Sequence, residues 1–214
     1  MEPDQARLIA DLFSLVPVGA AARQGVLRRM ADTDRHYHGT RHLAVLWGRH
    51  LRYGAGLPVR EVPWHRLIAS AIAFHDAIYD PTRRDNEALS ATLWRDSAPV
   101  LEPWEIAWVS GTILATADHL GAVPEGGMTP EAWSARLWML DLDLTPLGEE
   151  QAEFERGTAG LRAEYAHLDD AAWNAGRDSF LRGLAARPVL FRTPLLASVF
   201  EAQARANLDR KAPS

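Results

Sequence analysis

The chain of 214 residues contains no cysteine. Neither a disulfide framework nor a thiolate metal site can therefore form, and any metal must be held by imidazole and carboxylate groups. No apolar run is long enough to cross a bilayer. The acidic opening MEPDQARLIADLF also lacks the basic start and apolar core of a signal peptide. The expectation is a cytoplasmic protein with no membrane partner. An excess of positive charge is missing too: 23 Lys and Arg stand against 28 Asp and Glu, a net charge of -5. That balance offers no general attraction for a polyanion, so no nucleic-acid polymer is expected as partner. A small phosphorylated substrate, held locally by a few arginines or a metal, stays within reach. Runs of β-branched residues in strict alternation are absent as well, which argues against sheets.

What is present is a balance of 47% hydrophobic and 24% charged residues, that of one soluble globular domain able to bury a core. Apolar residues recur every three or four positions. This spacing predicts helices at roughly 3–15, 18–31, 39–53, 63–79, 85–97, 103–119, 129–144, 148–167, 169–185 and 193–210. Pro63, Pro103 and Pro130 stand where helices could begin, and Thr129, Asp169 and Asp85 where helices could be capped. Glycine and proline gather in GAVPEGGMTP, residues 121–130, read as the longest loop. Potential site residues lie on both sides of it, so the reading is one all-α domain, 1–214, a single helical bundle. No internal repeat or low-complexity tract is visible. The tryptophans, among them Trp104, Trp108, Trp133 and Trp138, have helical spacing and are expected in the core rather than as a base-stacking platform. Apolar helix faces leave room for a homodimer.

Three clusters carry chemical potential. Arg35-His36-Tyr37-His38-Gly39-Thr40-Arg41-His42 holds three histidines in eight residues, with His38 and His42 four apart and able to share a helix face. A polar helix start with solvated imidazoles is the bland alternative. In AIAFHDAIYDP, His75 and Asp76 close a strongly apolar stretch, where an aspartate is costly to bury unless paired or bound to a cation. A surface His-Asp dipeptide would be the plain reading. In LWMLDLDLTPLG, Asp141 and Asp143 interrupt leucines and point about 200° apart on a helix, so only one can face a shared ion. The other would cap, pair with an arginine or meet solvent. Around these, Arg84, Glu87 and His119 are candidates for substrate contact. Arg84 has a solvated role as its alternative, Glu87 a surface role. For His119 a favourable place at a helix C-terminus competes with a second-metal role.

The order His, then His-Asp, then Asp, each beside an apolar helix, resembles the HD superfamily of metal-dependent phosphohydrolases. Tyr37-His38-Gly39-Thr40-Arg41-His42 is also similar to the YHNxxH segment of cyclic-nucleotide phosphodiesterases, with Gly39 at the asparagine position. The layout of RHYH…H, FHDAIYDP, DNEALSA, TADH, DLDL…LG and EAQARANL looks like a subfamily of predicted HD phosphohydrolases of undefined substrate, and the likeness spans nearly the whole chain. The resemblance implies an HD-type helical bundle. It further implies metal ligands His42, His75, Asp76 and one of Asp141 or Asp143, with Asp143 preferred. His38 becomes the proton donor and Asp76 orients the nucleophile, unless His38 rather than His42 is the first ligand. One divalent transition ion is implied rather than two, with manganese, iron, cobalt, nickel and zinc undistinguished. The implied substrate is a nucleotide or other small phosphorylated metabolite. A diiron oxygenase and a non-catalytic nucleotide sensor are the alternatives.

Overall fold

The computed structural model describes residues 3–98 and 100–211. All regular structure among these residues is helical: α1 (Pro3–Leu15), α2 (Ala20–Met30), α3 (Thr40–Tyr53), α4 (Trp64–Phe74), α5 (Asn86–Ser97), α6 (Pro103–Ala115), α7 (Pro130–Leu144), α8 (Gln151–Glu164), α9 (Asp170–Ala185) and α10 (Pro194–Lys211). Helix starts follow their local chemistry. Pro103 and Pro130 occupy first-turn positions where an N–H would be orphaned anyway. The Thr129 hydroxyl accepts from Ala132 N, and the Asp169 carboxylate from Ala172 N. A capping box joins Glu102 and Glu105 at the start of α6.

α4 is the hub. Every residue from Leu67 to Phe74 is buried, the mark of a helix apolar all round and surrounded on every side. Alanine at 69, 71 and 73 lets neighbours approach closely, and α1, α3, α5, α6 and α7 all pack against it. Leu12, Met30, Leu46, Ile72, Trp94, Met139, Leu196 and Leu208 belong to one hydrophobic cluster, so a single core runs from the first helix to the last. A buried polar stack sits within it. Trp47 lies parallel to His50 and His65, Trp138 Nε1 donates to His50 Nδ1 at 3.0 Å, and His50 Nε2 is 2.9 Å from His65 Nδ1. Trp108 and Trp138 are buried as expected, whereas Trp104 is 49% exposed.

Three local expectations need correction. The helix expected over 63–79 ends at Phe74, because α5 takes over the backbone groups that a longer helix would use. Ile78 N donates to Ser90 Oγ, Asp80 N to Asn86 Oδ1, and Asn86 Nδ2 to Asp80 O. Asp85 stands at the start of α5 but does not cap it, since its carboxylate pairs with Arg83 through two hydrogen bonds of 2.8 and 2.7 Å. The helix expected to reach residue 119 gives way after Ala115 to a 3-10 turn over Thr116–Asp118. Residues 121–129 form the expected loop. Buried Arg136 pins it by donating to Glu125 Oε1 at 2.6 Å, while also donating to Thr112 Oγ1 and Trp108 O.

Candidate metal centre

Three helix ends meet on one side of the hub. His42 comes from the first turn of α3, His75 and Asp76 from the residues just after α4, and Asp143 from the last turn of α7. His42 and His75 are 6% and 2% exposed. His42 Nε2 lies 3.2 Å from His75 Nε2 and 3.0 Å from Asp143 Oδ1, and His75 Nε2 lies 3.5 Å from that same oxygen. Asp76 Oδ2 is 3.0 Å from His75 Nε2 and 3.8 Å from His42 Nε2. Ligands about 2.1 Å from one ion are separated by roughly 3.0 Å across an octahedral edge and 3.4 Å across a tetrahedral one. The observed separations fall close to that range.

Hydrogen bonding also prepares the set. His75 Nδ1 donates to Ile72 O at 3.0 Å, which fixes the ring and turns Nε2 inward, the arrangement of an imidazole ligand held by its other nitrogen. Two buried imidazole nitrogens facing each other cannot both carry a proton there, whereas a shared cation satisfies both. The electrostatics agree. Burial opposes a charged His75, but Asp76 and Asp143 outweigh it and raise its pKa well above the ordinary histidine value. Burial would raise Asp143, yet His75 and the hydrogen bonds of His119 and His42 hold it well below the usual carboxylate range. Asp76 is likewise held low, by His75 and His38 against its burial. The pocket favours positive charge, and His42, His75 and Asp143 form a group that could hold a metal ion.

His38 stands beside this group, its ring centroid 6.1 Å from that of His42 and 4.2 Å from that of Tyr79. It precedes α3 rather than sharing its face, because Gly39 is extended and the helix starts at Thr40. A Cβ at Gly39 would lie 3.1 Å from Met30 O and 3.3 Å from Arg35 O, so the position has little room for a side chain. His38 Nδ1 is 2.7 Å from Glu164 Oε2. Burial works against its charged form, but Asp76 and Glu164 overcome this and raise its pKa.

Of the two leucine-flanked aspartates, Asp143 joins the group and Asp141 does not. Asp141 is fully buried on another side, where its Oδ2 accepts from Thr193 N at 2.6 Å and Thr193 Oγ1 at 2.7 Å at the start of α10. His119 does reach the group, with Nε2 2.7 Å from Asp143 Oδ2. Its segment is tied down from α10's approach: Arg192 donates to Ala122 O at 2.7 Å and also to His119 O. Exposed Arg84 and half-buried Glu87 make no hydrogen bond or ion pair with the group. Sequence reasoning passed over Glu164 altogether and assigned Arg35 no role. Glu164 meets residues 126 and 127 positions away, and no spacing rule reaches that far. Among known proteins, no protein family matches the chain, and no curated protein or solved structure does so either.

Proposed function

We propose that the chain is a metal-dependent phosphohydrolase acting on a nucleotide or another small phosphorylated metabolite. The observation that carries the reading is the convergence of His42, His75, Asp76 and Asp143 donor atoms beside a histidine tethered to a carboxylate. It agrees with the resemblance of the H…HD…D order to the HD superfamily. In this reading those four residues hold one divalent transition ion, which when bound acidifies water and neutralises charge developing on phosphorus. Asp76 also orients the attacking water. His38 gives a proton to the departing oxygen through Nε2, because its Nδ1 is engaged by Glu164. The test is metal analysis of the purified protein, with phosphate release from a panel of nucleotides and phosphate esters in added manganese. Release from at least one ester, lost in His75→Ala, is expected. Stoichiometric metal with no release from any ester would overturn the reading.

One observation favours a second reading, an oxygenase with two irons. Asp143 extends its two oxygens to different histidines, Oδ1 to His42 at 3.0 Å and Oδ2 to His119 at 2.7 Å, so His119 would be at hand to help hold a second ion. Two irons per chain after anaerobic purification, with turnover that needs dioxygen, would establish it over hydrolysis.

A further inference from the structure

Two side chains outside the donor group hold the loop of His38, one through its N–H groups and the other through a carbonyl. Glu164, the last residue of α8, has a side chain only 1% exposed. Its Oε1 accepts the backbone N–H groups of Tyr37 at 2.7 Å and His38 at 2.9 Å, and its Oε2 takes the His38 Nδ1–H at 2.7 Å. Arg35 works on the carbonyl side. Its Nη1 donates to His38 O at 3.0 Å and Asp76 O at 2.5 Å, and its Nη2 to Ala77 O at 3.2 Å. One guanidinium therefore joins the peptide that carries His38 to the peptides that follow His75.

α8 reaches the loop because two glycines lie on the same face as Glu164, at three- and four-residue steps. A Cβ at Gly157 would be 3.1 Å from the Tyr37 ring, and one at Gly160 would be 2.8 Å from His36 O. Burying ions is costly, and an apolar anchor would hold a loop as well. What charged groups with several donors or acceptors add is direction. Glu164 sits below its usual pKa despite burial, held there by His38 and the two backbone N–H groups, so it accepts only and the proton of that bond lies on His38 Nδ1. The ring is thereby fixed with Nε2 free.

Resting on the hydrolase reading, we propose that Arg35 and Glu164 are a pair of positioning residues. Together they lock the loop of His38 to the His75-Asp76 turn and set the place at which His38 Nε2 meets the leaving oxygen. Neither residue touches ion or substrate in this assignment. Glutamine has one acceptor oxygen where the carboxylate has two, so Glu164→Gln cannot serve both the backbone N–H groups and the ring. Lysine cannot span three carbonyls, so Arg35→Lys separates the two turns while keeping the charge.

The full-length protein, loaded with manganese, is assayed on two esters: p-nitrophenyl phosphate, whose leaving group departs without a proton, and an alkyl phosphate, whose leaving group needs one. On the alkyl ester, Glu164→Gln and Arg35→Lys each lower kcat about 100-fold, the scale of general-acid assistance. The nitrophenyl ester loses far less, and KM and manganese affinity stay near those of the unaltered protein. The double variant falls no further than either single one, because both act through one loop. Independently of turnover, nitrogen NMR of the zinc-loaded protein, recorded at a pH where His38 is neutral, shows His38 as a single Nδ1–H tautomer, and Glu164→Gln abolishes that preference. Equal slowing of both esters, or an unchanged tautomer in Glu164→Gln, would overturn the proposal. If the unaltered protein hydrolyses no phosphoester, the hydrolase reading fails, and the tautomer result alone decides whether Glu164 orients the ring.

Discussion

Replacing each of the two leucine-flanked aspartates in turn separates a candidate ligand from a structural anchor, because their surroundings differ so sharply. Asp143 contributes an oxygen to the donor group, 3.0 Å from His42 and 2.7 Å from His119 through its two atoms. Asp141 contributes two hydrogen bonds to Thr193 at the N-terminus of α10, where negative charge also meets the helix dipole favourably. Asp141→Ala leaves the half-buried Thr193 N–H and hydroxyl without their partner, at a cost of about 2 kcal/mol. For a chain of this length that lowers Tm by about 4–8 °C. An ion present at about 100 times its Kd stabilises a protein that binds it only when folded by about 2.7 kcal/mol, or roughly 5–11 °C. Thermal unfolding of the unaltered protein and both variants, each with and without manganese or zinc at that excess, reads both quantities. Asp141→Ala should melt early yet keep the full rise on adding metal, whereas Asp143→Ala should lose the rise. Loss of the rise in Asp141→Ala, or its retention in Asp143→Ala, refutes the assignment of the last ligand.

Other outcomes follow from the same geometry. His75→Ala and Asp76→Ala should each abolish stoichiometric metal, measured by elemental analysis, while the helical circular dichroism stays. Gly160→Ala places a Cβ 2.8 Å from His36 O and should destabilise the fold by about 1–3 kcal/mol, measured by urea unfolding; no change would show that α8 yields easily. The His50 stack contributes to acid sensitivity. Burial, with help from His65 and Arg60, lowers His50 from 6.5 to about 3, so the native state binds fewer protons than the unfolded chain at intermediate pH. Its contribution is complete above the unfolded value of 6.5 and fades as pH falls toward the folded one, a loss of about 2 kcal/mol between pH 7 and pH 5. His50→Asn should lose about that much less stability over the interval, and an identical pH dependence in both proteins would contradict the assignment.

The helices were legible because their signals are local. The three- and four-residue apolar rhythm, the prolines at 103 and 130, and Thr129 and Asp169 all act within a turn or two of where they stand. His42, His75 and Asp143 could be singled out since each interrupts or borders an apolar run, where a polar group needs a reason to be. The end of α4 was not legible, because what stops the helix is Ser90 and Asn86 reaching back from α5, groups that look like ordinary helix residues in the sequence. Asp85 misled for a related reason: its sequence position suits a cap, but Arg83 two residues earlier competes for the same carboxylate and wins. Glu164 carried no local mark at all. Its task depends on α8 lying against a loop more than a hundred positions earlier, a fact of tertiary packing.

The spread of the donors along the chain has a mechanical consequence. His42 and Asp143 are 101 positions apart and sit at the ends of different helices, in a chain with no covalent cross-link of its own. An ion shared between them closes a loop about as long as a large disulfide would, and restrains the chain in the same sense. With such an ion in place, partial opening of the bundle at that end would require its release, so amide exchange in α3 and α7, together with proteolysis between them, would be a direct gauge of occupancy.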